Sequence, residues 1–162
     1  QDPKRRAYLL NHFLEGFRTT VYRQTLFAEF ERKAHELYQQ GEPLTAEVLS
    51  GIYRELNDLY YAGAVNNPLQ DVEWARVPHF YTAFYVYQYA TGFCSAVAIA
   101  NDILSNGDAS QYLKILTTGG SMYPIDELKI AGVDLTKPET VQNALEVFQT
   151  SLDELEQMLE KL

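Results

Sequence analysis

Cysteine is almost missing from this sequence: among 162 residues only Cys94 carries a thiol. A single cysteine excludes an internal disulfide and points to a reducing compartment, so a cytoplasmic location is expected. Histidine is nearly as scarce, with three in the chain. Three imidazoles and one thiol cannot build the usual transition-metal sites without ligands from elsewhere. Positive charge is also in deficit, 13 Lys and Arg against 22 Asp and Glu for a formal charge of −9, and the one basic run is Lys4-Arg5-Arg6. Nucleic acids and anionic membranes both need a clustered cationic face, so neither is expected as a partner. No apolar run reaches membrane-spanning length, and no stretch reads as a signal peptide. The chain opens Gln1-Asp2-Pro3 with no initiator methionine and enters a helical pattern within a few residues. Of a processed product, a trimmed product and a piece of something longer, the last is favoured, because the first helix opens without an obvious cap.

Hydrophobic residues make up 46% and aromatics 13% of the chain, enough to build a sizeable core. One helical domain covering residues 1–162 is expected. From Arg5 to about Gln39 there is no proline and Gly16 is the only glycine, which predicts a single long helix. Leu9, Phe13, Phe17, Thr20, Gln24 and Phe27 form one stripe and Leu10, Leu14, Val21 and Ala28 another, so the helix is expected to be buried on two sides. Thr45 can cap a second helix to about Tyr61, with Val48, Leu49, Ile52, Leu56 and Leu59 inward. Gly63 to Pro68 reads as a loop turning at Asn66-Asn67-Pro68. Further on, Asp108 and Gln111 resemble a capping pair for a helix from Ala109 to Thr117, which Gly119-Gly120-Ser121 ends. Pro124 starts a short helix ending near Gly132. Thr136-Lys-Pro-Glu139 supplies a cap, a first-turn proline and a capping-box glutamate for the last helix, to Leu162, along which Val141, Leu145, Phe148, Leu152, Leu155 and Leu159 recur. No segment reads as a strand.

The densest chemistry lies in Arg76-Val-Pro-His-Phe-Tyr-Thr-Ala-Phe-Tyr-Val-Tyr-Gln-Tyr-Ala-Thr-Gly92. Pro78 fits a first helical turn, which places His79 at a helix start and Tyr81, Tyr85, Tyr87 and Tyr89 on the turns after it. His79 has two readings: a structural imidazole satisfied by a carbonyl or by Glu73, or a donor presented to a cleft, where His and Tyr can stabilise a developing oxyanion. Tyr85 and Tyr87 face the same choice between core and site. His35-Glu36-Leu37-Tyr38-Gln39 has the outline of a His-Glu-x-x-His zinc helix, but Gln39 stands where the second histidine is needed, so a solvated helix face is the better account. Glu31 and His35 are four apart and unrepeated, which excludes a di-iron bundle. Cys94, among small apolar residues, reads as a buried inert thiol.

These segments carry a resemblance. Leu9-Leu-Asn-His-Phe-Leu-Glu-Gly-Phe-Arg-Thr-Thr-Val-Tyr-Arg-Gln-Thr-Leu-Phe-Ala-Glu-Phe-Glu31 resembles the helix that follows the zinc site of bacterial oligoendopeptidase F. Glu73 to Tyr81 and Phe84 to Phe93 resemble that family's substrate-site segment. Gly119-Gly-Ser-Met-Tyr-Pro124 and Ala131-Gly-Val-Asp-Leu-Thr136 are similar to its glycine-rich loop and to the approach to its last helix. The resemblance covers essentially the whole chain and implies a thimet-oligopeptidase-like zinc metallopeptidase. Such enzymes are mostly helical, enclose their substrate in a deep channel and cut short peptides.

The resemblance further implies that zinc in the parent enzyme is held by a His-Glu-x-x-His motif and a glutamate on the next helix. That motif is absent here, and the glutamate is expected just before residue 1, so this chain supplies no metal ligand. His79 matches the family's substrate-binding histidine and Tyr87 the tyrosine ending its aromatic segment; both are expected to donate to the scissile carbonyl oxygen. Tyr85 and Tyr81 are expected in the substrate-binding wall, with Gly119 and Gly120 in a loop bordering the channel. The expectation is an all-α multi-helix bundle forming the C-terminal part of a zincin-like catalytic domain. It would be inactive alone, with short peptides and the remainder of the peptidase chain as partners. The competing expectation is a non-catalytic helical module whose Tyr-rich cleft binds a peptide or a partner helix.

Overall fold

The structure is a computed structural model and describes residues 2–62, 64 and 67–161. Among them all regular structure is helical: α1 (Pro3–Phe17), a π-helical turn (Arg18–Tyr22), α2 (Arg23–Gln39), α3 (Ala46–Tyr61), two 3₁₀ helices (Pro68–Arg76 and Pro78–Tyr81), α4 (Tyr87–Asn106), α5 (Ser110–Thr118), α6 (Pro124–Ile130) and α7 (Glu139–Leu159). Two compact units divide the chain, one of residues 1–18 with 91–162 and one of residues 19–90. The part of the Gly63–Pro68 loop at Gly63, Val65 and Asn66 lies outside the described residues.

Several sequence expectations are corrected. The long N-terminal helix does not open uncapped: the Asp2 side chain accepts from Lys4 N–H at 3.1 Å and Pro3 takes the first position, where its missing N–H costs nothing. Nor is the run one α-helix, because the π turn at Arg18–Tyr22 interrupts it. The expected burial on two sides holds only in part: Phe17 and Phe27 of the first stripe are buried, but its N-terminal members are not. Ala7, Leu10 and Leu14 are buried against Phe148, Leu152, Leu155 and Met158 of α7, whereas Leu9 is 53% exposed and Phe13 half-exposed. Phe17 extends that apolar seam, packing edge-on against Phe93 at 4.9 Å and against Phe148 at 5.3 Å.

Caps differ in a consistent way: a side chain that could cap is already engaged. Thr136 Oγ1 donates to Asp134 Oδ1 at 2.6 Å, so α7 starts at Glu139 with Pro138 before it. Asp108 takes Ser110 N–H and O–H at 2.9 and 2.8 Å, a tight local turn in place of a pairing with Gln111. Thr45 does cap α3, accepting from Val48 N–H at 3.3 Å. Gly132, at φ 75°, closes α6: its N–H reaches Lys129 O and the next N–H reaches Leu128 O, satisfying carbonyls a helix end leaves open.

The unit of residues 19–90 has an aromatic-rich core of its own. Leu26, Phe27 and Phe30 of α2 pack with Tyr53 and Leu56 of α3 and with Val77 and Val86. The buried face of α3 is thus centred on Tyr53 and Leu56, and Val48 and Leu59, expected inward, are exposed. The 3₁₀ helix Pro68–Arg76 lies on α3, fixed by polar groups pointing inward. Glu73 is buried and receives the Tyr53 hydroxyl at 2.8 Å, Arg23 Nη2 at 2.6 Å and the Arg76 guanidinium. Asp71, also buried, takes Arg54 Nε at 2.9 Å, and Trp74 Nε1 donates to Ser50 Oγ at 3.2 Å. Buried charges of this kind need matched partners, and these have them.

Candidate active-site face

The aromatic stretch is not the single helix that Pro78 suggests. Pro78–Tyr81 make one 3₁₀ turn, the chain breaks at residues 82–86, and α4 begins at Tyr87. In a 3₁₀ turn residues three apart share a side. Val77 and Phe80 therefore face the core together, Phe80 lying 5.2 Å from the ring of Phe30 and 5.7 Å from that of Phe27. His79 and Tyr81 are left pointing outward, Tyr81 at 90% exposure.

The break returns the chain to His79. Phe84 adopts φ 58°, a left-handed conformation that bulky residues rarely take. Val86 then drops into the core, fully buried, which leaves Tyr85 on the outer surface. Tyr85 lies flat over His79, ring centres 5.6 Å apart and planes within 10°. Tyr89, in the first turn of α4, meets both edge-on at 5.6 and 5.9 Å, and its hydroxyl sits 3.4 Å from His79 Nε2. The hydrogen bond that the Tyr89 hydroxyl donates to Tyr85, partial burial and the neighbouring phenol together push the Tyr89 pKa up. The result is an outward-facing cluster of one imidazole and two phenols on segments anchored in the core by Phe80 and Val86.

Of the residues expected from sequence, His79 and Tyr85 come together here. Tyr87 is the first residue of α4, half-exposed, and Tyr81 projects from the 3₁₀ turn. Gly119 and Gly120 belong to the other unit. There Gly119 ends α5 at φ 56°, ψ −142°, and a side chain at Gly120 would meet nothing within 4 Å. Glu73, offered as a partner for His79, is instead occupied by Tyr53, Arg23 and Arg76. His35 is not on a purely solvated face: its ring packs 4.6 Å from that of Phe84, while Glu36 is exposed beside Arg32. Among the described residues no three of His, Cys, Asp and Glu are grouped so as to hold a metal ion.

Two participants, Tyr89 and Glu31, lie outside the set of site residues that the sequence suggests. Tyr89 shares no helix face with Tyr85, which precedes α4, so a spacing of four does not account for their contact. Glu31 is not legible either, because the Phe84 N–H that it accepts lies 53 positions away.

Comparisons with known proteins agree with this architecture. The sequence profile of Peptidase family M3 matches residues 1–147. Oligopeptidase PepF of Bacillus subtilis is 50% identical over 165 residues, covering 100% of this chain and 25% of its own length. The plasmid-encoded oligoendopeptidase F of Lactococcus lactis is 48% identical over 164 residues, covering 99% and 27%. The crystal structure of oligoendopeptidase-F from Enterococcus faecium superposes with a TM-score of 0.96 at 45% identity, covering 100% of this chain and 32% of that one. The chain therefore spans about a quarter of the length of the curated relatives it matches.

Proposed function

The chain belongs to peptidase family M3, and from that premise we propose that it forms part of the substrate-channel wall of an oligoendopeptidase that hydrolyses short peptides. The observation that carries this reading is the cluster of His79, Tyr85 and Tyr89, solvent-facing but carried on segments anchored in the core by their neighbours Phe80 and Val86. An imidazole N–H and phenol O–H groups held on rigid elements suit donation to a peptide carbonyl oxygen as it gains negative charge. His79 is the principal donor in this reading and Tyr87 the second, with Tyr85, Tyr81 and the Gly119-Gly120 loop contacting substrate.

Zinc is the metal this family reading brings with it, supplying water activation when bound. The residues here do not fit it: no cluster of three ligating side chains exists among those described. The ligands are assigned to the remainder of the peptidase chain, and no step is routed through the metal here. That remainder is also the proposed partner of the exposed Leu9, Leu104, Leu116 and Tyr123. Among the described residues no helix is long and apolar enough to cross a membrane. A cytoplasmic setting is the proposed one, resting on the single buried thiol of Cys94.

The test is hydrolysis of a fluorogenic oligopeptide by the full-length enzyme with His79→Ala and Tyr87→Phe. Loss of one oxyanion donor costs on the order of 100- to 1000-fold in kcat. A His79→Ala enzyme with unchanged kcat and KM overturns the reading.

A further inference from the structure

Tyr85 can stack on His79 only because the residue before it turns the wrong way for an L-amino acid. Phe84 sits at φ 58°, where a Cβ crowds the backbone, and no glycine or asparagine is present to make that conformation easy. Something must hold it. The Phe84 N–H donates to Glu31 Oε1 at 2.7 Å, and Glu31 is only 5% exposed. One turn further along α2, His35 places its ring against the Phe84 ring at 4.6 Å. Glu31 and His35 are four apart on the same helix face, so one side of α2 grips both the backbone and the side chain of Phe84. A carboxylate at this depth needs a donor, and a left-handed phenylalanine needs a restraint, so each meets the requirement of the other.

We propose that Glu31 is a positioning residue for the His79 site: its carboxylate holds Phe84 in the left-handed conformation that lays Tyr85 over His79. The importance of His79 itself rests on the reading given under Proposed function; the restraint on Phe84 does not. Without the Glu31 oxygen, residues 82–85 relax to ordinary backbone angles and Tyr85 swings off the imidazole. Val86, buried at the far side, confines the change to these few residues.

The experiment uses the full-length peptidase with histidine labelled by carbon-13, the His79 signals assigned by their loss in His79→Gln. Stacked under Tyr85, the His79 ring protons are shifted upfield. Glu31→Ala is expected to move them downfield and to lower kcat on the order of 10- to 100-fold with little change in KM, the scale of a misplacement near 1 Å. Adding Phe84→Gly to Glu31→Ala is expected to restore both readouts, because glycine adopts φ 58° unaided. Glu31→Gln keeps an acceptor oxygen in place and should stay near wild type. If Glu31→Ala alone does not fold, recovery of folding by Phe84→Gly supports the restraint equally, and failure to recover overturns it. Unmoved His79 signals in a folded Glu31→Ala enzyme, or a double variant no better than the single one, overturns the proposal. Signals that respond as expected in an enzyme whose His79→Gln variant keeps full kcat support the restraint and reject the role of His79.

Discussion

The Tyr53 hydroxyl donates to Glu73 Oε2 across 2.8 Å, joining α3 to the 3₁₀ helix that follows it through a carboxylate whose other oxygen takes Arg23. Tyr53 is 1% exposed, so its hydroxyl has no access to water. Burial and the hydrogen bond to Glu73 push its pKa far up, which keeps the proton on the phenol throughout the ordinary pH range. Tyr53→Phe removes one donor and leaves the carboxylate oxygen short of a partner. The expected cost is about 1–3 kcal/mol, read as a lowered urea midpoint with an unchanged slope. Glu73→Ala strands Arg23 beside an apolar core and should cost more, about 3–5 kcal/mol.

Stability should also fall in acid through Glu73. Burial alone would raise its pKa, but the hydrogen bonds from Tyr53 and Arg23 and the charges of Arg23 and Arg76 outweigh it, and the net shift is below the ordinary 4.5. A carboxylate whose folded pKa is lowered contributes stability above its unfolded value, and that contribution is lost as pH drops through the folded one. The expected result is a wild-type unfolding midpoint that declines below about pH 4.5, with a shallower decline in Glu73→Gln. Equal slopes for the two proteins in that window would count against it.

Tyr89 should be slow to ionise. Its pKa is raised first by the hydrogen bond it donates to Tyr85, then by partial burial and the nearby phenol. Replacing Tyr85 by Phe removes the first and third causes, so the Tyr89 pKa should move down toward its ordinary 10. Carbon-13 tyrosine spectra recorded through alkaline pH would follow this one ring; a Tyr89 titration that ignores Tyr85→Phe would break the link.

Cys94 is 1% exposed, and burial pushes its thiol pKa up. Thiolate is the reacting form, so modification by an aromatic disulfide reagent at about pH 8 should be negligible in the folded chain and complete in denaturant. Stoichiometric reaction without denaturant would mean that the helix carrying Cys94 opens readily.

Produced alone, the 162-residue chain should self-associate. Leu104 is 82%, Tyr123 81% and Leu116 62% exposed, more apolar surface than a solitary helical domain usually leaves uncovered. Light scattering should give a mass above that of a monomer, with binding of an apolar dye. Leu104→Glu and Leu116→Glu, both on exposed helix surface, should reduce both signals without loss of helix content.

Helices are legible in the sequence wherever the signal is local. The stripe of Leu10 and Leu14 and that of Phe148, Leu152 and Leu155 locate α1 and α7 and the faces that meet. Ends are harder to read, because Asp108 and Thr136 each have a second local partner that sequence spacing does not rank. The aromatic segment departs from its expected helix for a different reason. Pro78 opens a 3₁₀ turn as well as it opens an α-helix; here the turn ends at Tyr81 with Thr82 extended, and Phe84 then takes φ 58°. Its left-handed turn depends on Glu31, 53 positions upstream, and no pattern within the segment reveals that. His79 and Tyr85 both stand out in the sequence, yet their contact is the product of that distant carboxylate.

The 3₁₀ helix Pro68–Arg76 spans nine residues, well beyond the three or four at which this conformation usually stops. It has little intrinsic stability, and the groups that fix it come from 17, 20, 24 and 50 positions away, through Arg54, Tyr53, Ser50 and Arg23. Its order in folding time follows. It cannot act as a nucleus, since loop closure must precede every contact that rewards it. It forms after α2 and α3 have met, so weakening it by Tyr53→Phe should leave the refolding rate unchanged and express its whole cost as faster unfolding.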